Sequence, residues 1–142
     1  MTAQRYQAEL TVLRRKNIAS NLYKFVDLDT PKAHVVMAAR TNRGTIYTLY
    51  IPLDGFPQAI PKVFVTQMLY AKDGTPLDSP SAAMHTLSSE NGWTRLCHYG
   101  YDSWSANVSL FKIYVKCRLW LEMYELHLQT GNPIDYYLNH QD

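Results

Sequence analysis

Near the amino end, Tyr6, Leu10 and Leu13 recur at helical spacing across residues 1–17, with Thr2 ahead of them as an N-cap. The apolar stripe is thin, which predicts a helix lying on the surface at the edge of the domain. The pattern then changes to short extended runs. Residues 25–28 read as a brief strand ended by Asp29-Thr30-Pro31, and residues 34–39 as a fuller one. A turn at Thr41-Asn42-Arg43-Gly44 leads into residues 45–51, dominated by β-branched and aromatic side chains, so these two strands form a hairpin. Pro52 ends it. The segment from Gly55 to Pro61 is punctuated by prolines and is neither helix nor interior strand. Residues 62–68 supply a fourth strand, and residues 71–81 are a turn-rich loop. Residues 81–105 keep neither a period of 2 nor one of 3.6, which predicts a long irregular loop, held in order by Trp93, Tyr99, Tyr101 and Trp104.

The last strong pattern is helical. Residues 108–130 carry Leu110, Ile113, Tyr114, Cys117, Leu121, Tyr124 and Leu128 on one stripe, with Asn107 as cap and Gly131 and Pro133 as stop. Val115, Leu119, Met123 and Leu126 make a second apolar side. A helix apolar on two sides is expected to lie centrally, with both sides covered. Residues 135–138 read as a short helical turn. Strands in succession, rather than alternating with helices, predict an α+β fold. Its parts are an N-terminal helix, a four-stranded antiparallel meander, a long loop and a long C-terminal helix, in one domain over residues 1–142.

Composition narrows what such a fold can do. With 46% hydrophobic residues the chain fills a real core. A net charge of +2, with no basic cluster longer than Arg14-Arg15-Lys16, argues against a nucleic-acid partner. No apolar run approaches the roughly 20 residues of a membrane span, so no membrane partner is expected. The first ten residues lack the apolar stretch of a signal peptide, and two cysteines make no disulfide framework. The expectation is a cytoplasmic chain with reduced thiols. Neither CxxC nor HExxH occurs, so no metal and no cofactor is expected.

Cys117 falls within the helical stripe, where a cysteine behaves as a small hydrophobe. Cys97 fits no periodic pattern and is flanked by Arg95, His98 and Asn91. A cation near a thiol raises its thiolate fraction, which makes Cys97 the candidate nucleophile. His85 is a ligand, a base or a structural histidine bonded to loop backbone, and Asp102 is either a loop cap or a group beside an incoming amine.

Taken in order, these elements resemble the ubiquitin-conjugating enzyme family. Phe56-Pro57 and Ile60-Pro61-Lys62-Val63 match its proline segment, and His85 the histidine of its His-Pro-Asn tripeptide. Asn91-Gly92 matches its Asn-Gly turn, Leu96-Cys97 its active-site pair, and Trp104-Ser105 its later tryptophan before the helix. The tripeptide here reads His85-Thr86-Leu87, without the asparagine, and His98-Tyr99 stands where the family has Leu-Asp. These departures look more like the bacterial members encoded in anti-phage operons of the CBASS type. The resemblance implies that Cys97 forms a thioester with the C-terminus of a protein partner and passes the acyl group to an amine. That partner would be a cGAS-like nucleotidyltransferase or a ubiquitin-like protein. It also implies roles for the neighbours. Asn91, or else Ser88 or Ser89, donates to the oxyanion. His98 holds the thiolate or orients the loop, and Asp102 accepts a proton from the attacking lysine. Two other readings stay open. One is a non-catalytic binding module of the same fold, the other a hydrolase or redox sensor that uses Cys97 with His98.

Overall fold

The computed structural model describes residues 1–139, and the chain opens with the expected surface helix. In α1 (Ala3–Arg15) the Thr2 hydroxyl accepts from the Arg5 N–H at 3.0 Å. Its apolar contribution is Leu10 and Leu13, and charge supplements that thin stripe. Glu9 is buried. It accepts from the Leu110 N–H at 2.7 Å through one oxygen and from Arg5 Nε at 2.8 Å through the other. Arg5 also donates to the carbonyls of Ala106 and Val108. The helix is thus stapled to the chain entering the C-terminal helix, where a carboxylate also meets the positive end of the helix dipole.

Six strands follow among the described residues: β1 (Tyr23–Val26), β2 (His34–Arg40), β3 (Ile46–Pro52), β4 (Val63–Val65), β5 (Thr86–Glu90) and β6 (Trp93–Leu96). They form one sheet in the order β1-β2-β3-β4-β6-β5, with every neighbouring pair antiparallel. The expected four-stranded meander is its first part, and the expectation of four strands is corrected to six. The added pair comes from residues 81–105, where an irregular loop was predicted. Asn91 and Gly92 take φ of 55° and 74°, the paired left-handed geometry of a two-residue type I′ turn, and fold β5 back on β6. The first strand is displaced too. It ends at Val26 because Asp27 adopts a φ of 53°, which breaks the extended run.

The C-terminal helix α2 (Leu110–Thr130) is capped by Ser109, whose hydroxyl accepts from the Lys112 N–H at 3.2 Å, and not by Asn107. Gly131 ends it at a φ of 81°, donating its N–H to the His127 carbonyl at 2.8 Å. One side of α2 is buried: Ile113, Cys117, Trp120, Leu121 and Tyr124 share a core with Val35, Met37, Leu49, Ile51, Val63 and Val65. Each such side chain contributes about 1.5–3 kcal/mol by leaving water. The expected central position is corrected. Met123 is buried, but Val115, Leu119, Leu126 and Leu128 are exposed, because the single sheet covers only one side of the helix. A last short helix, α3 (Ile134–Asn139), follows α2 and contains the helical turn expected at residues 135–138. It inserts the fully buried Ile134 into the core, and its Asp135 N–H donates to the Ala83 carbonyl at 2.8 Å. Residues 140–142, part of the expected single-domain span, lie outside the described residues. Among the described residues, no helix is long and apolar enough to cross a membrane.

Candidate active site

The new hairpin decides where Cys97 sits. Strand β6 alternates half-buried and buried positions, with Thr94 and Leu96 turned to the core and Trp93 and Arg95 to the other face. Cys97 is the next residue, beyond the strand end and partly exposed. Its N–H donates to the His85 carbonyl at 2.9 Å, extending the β5–β6 ladder by one pair. His85 and Cys97 are therefore cross-strand neighbours, and both side chains line one cavity of about 350 Å³ with Lys116, Trp120 and Met123. Cys97 also lines a larger groove of about 680 Å³, walled by residues from Gln58 to Lys62 on one side and by Leu87, Ser88 and Arg95 on the other. The thiol thus stands where two openings meet.

His85 is held from three directions. Its Nε2 lies 2.8 Å from Asp135 Oδ1, an acceptor, so this nitrogen carries the proton. Its carbonyl accepts from Cys97 and from Trp120 Nε1, at 2.9 and 3.1 Å. Its backbone takes a φ of 51°, in the left-handed region, as do Asn17, Asp27 and Asn91 among the described non-glycine residues. Such strain persists where the surroundings over-determine the conformation, and it clusters at functional sites. With Nε2–H given to the carboxylate, Nδ1 is the ring nitrogen left for another partner, and His85 lines the cavity with Cys97. Asp135 was not singled out in the sequence. It lies fifty positions from His85 in a segment read only as a helical turn, and no local pattern links the two.

The other expected site residues are distributed differently. His98 lines both openings with Cys97, and its Nε2 donates to the Pro61 carbonyl at 2.8 Å. Burial, with Lys116 and Arg95 nearby, pushes its pKa down to about 4, so the ring is neutral at pH 7. It fixes the loop against the proline segment but supplies no charge to a thiolate, which corrects that part of the expectation. Asn91 is at the hairpin tip. Six residue steps along the returning strand carry the chain from it to Cys97, roughly 20 Å, so it does not meet the thiol and the expected oxyanion role is corrected. Of the three candidate donors, Ser88 lines the groove, while the Ser89 N–H donates to the Asp78 carbonyl at 3.0 Å. Asp102 is exposed on the short turn Tyr101–Ser103 and lines neither cavity beside Cys97, so the structure does not bring it to the expected position.

The aromatic residues anchor the flanking loop. Trp104 Nε1 donates to the Pro57 carbonyl at 3.2 Å and its ring meets Phe56 and Tyr99 edge-on. Lys116 lies 3.9 Å over the Tyr99 ring. Cys117 is a contrast to Cys97: it is fully buried, and burial pushes its thiol up to about 12, which makes it inert. Among the described residues, no cluster of histidine, cysteine and carboxylate side chains is arranged to hold a metal. No family model, curated protein or solved structure matches the chain.

Proposed function

We propose that the chain is an acyl carrier of the ubiquitin-conjugating type, with Cys97 as nucleophile. The observation that carries this reading is the open thiol beside an oriented histidine: Cys97 and His85 share a cavity, and Asp135 fixes the histidine tautomer at 2.8 Å. Nδ1 of His85 takes the thiol proton as Cys97 Sγ attacks the carbonyl of a partner's C-terminus, already activated as an adenylate or thioester. The tetrahedral oxyanion collapses, the activating group leaves, and a thioester remains on Cys97. An amine then attacks the thioester carbonyl, loses a proton, and expels the Cys97 thiolate, leaving an amide. Ser88, which lines the same groove, is the side-chain donor assigned to the oxyanion. The order of elements supports the same reading: an N-terminal helix, an antiparallel sheet, a proline segment beside the cysteine and a long helix behind it. The partner is a protein with an extended C-terminal tail, either a cGAS-like nucleotidyltransferase or a ubiquitin-like protein, in bacterial antiviral defence.

The test is co-expression with a partner and its activating enzyme, followed by non-reducing electrophoresis. A thiol-labile adduct on the native chain, a thiol-resistant ester on Cys97→Ser and no adduct on Cys97→Ala are expected. An adduct that persists on Cys97→Ala refutes the proposal. Hydrolysis through Cys97 and His98 has less support, because the His98 proton is committed to the Pro61 carbonyl.

A further inference from the structure

The groove beside Cys97 has an unbalanced charge. Among the described residues its walls carry Lys62 and Arg95 and no carboxylate. The smaller cavity behind the thiol adds Lys116, again with no carboxylate among the described residues. Lys62 already has a partner, Glu90, at 2.7 Å near the rim. Arg95 has none among the described residues: its cross-strand neighbours are Leu87 and Phe64, and its Nε is buried without an acceptor. An arginine nitrogen withdrawn from water with no acceptor is costly, and the guanidinium fork matches a carboxylate bidentately.

We infer that Arg95 binds a carboxylate in the tail of the acyl donor, so that the groove selects an acidic residue two places before the acylated C-terminal residue. Arg95 and Cys97 are two residues apart on one face of an extended chain, which sets them roughly 7 Å apart. An extended tail in the groove has the same step between alternate residues. With its last carbonyl at Sγ, the residue two positions earlier lies opposite the strand position of Arg95. The Leu87, Pro61 and Trp104 surfaces that complete the groove suit uncharged backbone and small residues beside it. This inference deepens the carrier reading and rests on it for the tail's direction.

Recognition is measured apart from chemistry. Short fluorescein-labelled peptides ending in Glu-Gly-Gly, Gln-Gly-Gly or Lys-Gly-Gly are titrated with the full chain by anisotropy at low salt. The glutamate peptide is expected to bind about tenfold more tightly than the glutamine peptide, the scale of one charged hydrogen bond. Arg95→Gln is expected to abolish that difference, and Arg95→Glu to reverse it in favour of the lysine peptide. Equal binding of the glutamate and glutamine peptides to the native chain, or no binding of either, overturns the inference without recourse to any variant. A glutamate preference that Arg95→Glu leaves in place overturns it as well. The same peptides as C-terminal thioesters test the carrier reading separately. Acylation of Cys97 with no glutamate preference sinks the Arg95 assignment alone. Arg95-dependent binding without acylation sinks the carrier alone.

Discussion

Replacing His98 by glutamine changes how stability depends on pH, and the size of the change follows from the structure. The His98 ring is neutral and largely buried, with Nε2 donating to Pro61 and Nδ1 buried without a partner among the described residues. In the unfolded chain the ring titrates near 6.5, and in the fold at about 4, because burial and the adjacent Lys116 and Arg95 oppose a positive charge. The folded value is the lower one, so folding excludes a proton that the unfolded chain binds. The contribution is fully present above pH 6.5, declines below it, and is lost as pH falls through about 4. At ~1.4 kcal/mol for each pH unit of that interval, the loss amounts to about 3 kcal/mol. Glutamine can keep the bond to Pro61 and does not titrate. Urea unfolding of both proteins at several pH values between 7 and 4 makes the comparison, in which the carboxylates common to both cancel. The native chain should lose about 3 kcal/mol more than His98→Gln across that range. Parallel stability curves would refute a buried neutral ring at this position.

Three further outcomes are expected. Glu9→Ala strips the buried Leu110 N–H and Arg5 of their shared acceptor and should cost about 3 kcal/mol, read as a fall in Tm of roughly 10 °C; a change below about 1 kcal/mol would mean that the α1 staple contributes little. Asn91→Ala should destabilise the type I′ turn by about 1 kcal/mol in chemical denaturation, while acylation of Cys97 by a peptide thioester stays at the native rate. A large loss of acylation would restore Asn91 to the site. His85→Ala and Asp135→Asn should both slow acylation, His85→Ala by 10²-fold or more, with the rate of the asparagine variant shifted along the pH axis; native rates in both would remove His85 as the base.

What the sequence made legible was the scaffold with strong patterns. The β2–β3 hairpin was marked by its β-branched residues and the Arg43-Gly44 turn, and the end of α2 by Gly131, which takes the left-handed conformation there. The β5–β6 hairpin is marked in the sequence only by its Asn91-Gly92 turn. Edge strand β5 is polar apart from Leu87, so it lacks the alternation that identifies a half-buried strand. That missing signal carried into the site. With residues 81–105 read as a loop, Asn91 could be placed beside Cys97; as a hairpin, the same residues hold the two apart. Cys97 and His85 were legible by their types and order. The contact with Asp135 was not, because tertiary folding alone brings α3 to the loop before β5. The direction of the His98 ring likewise depends on a carbonyl 37 positions away.

The account rests on an acyl group residing on one sulfur, and intact-mass spectrometry tests that directly. The purified chain is incubated with a peptide thioester ending in Glu-Gly-Gly, then measured before and after treatment with a small thiol, alongside Cys97→Ala. The account predicts a single added acyl mass on the native chain, mapped to Cys97 and removed by thiol, and an unmodified Cys97→Ala. An unmodified native chain, or an adduct of equal yield on Cys97→Ala, would contradict it.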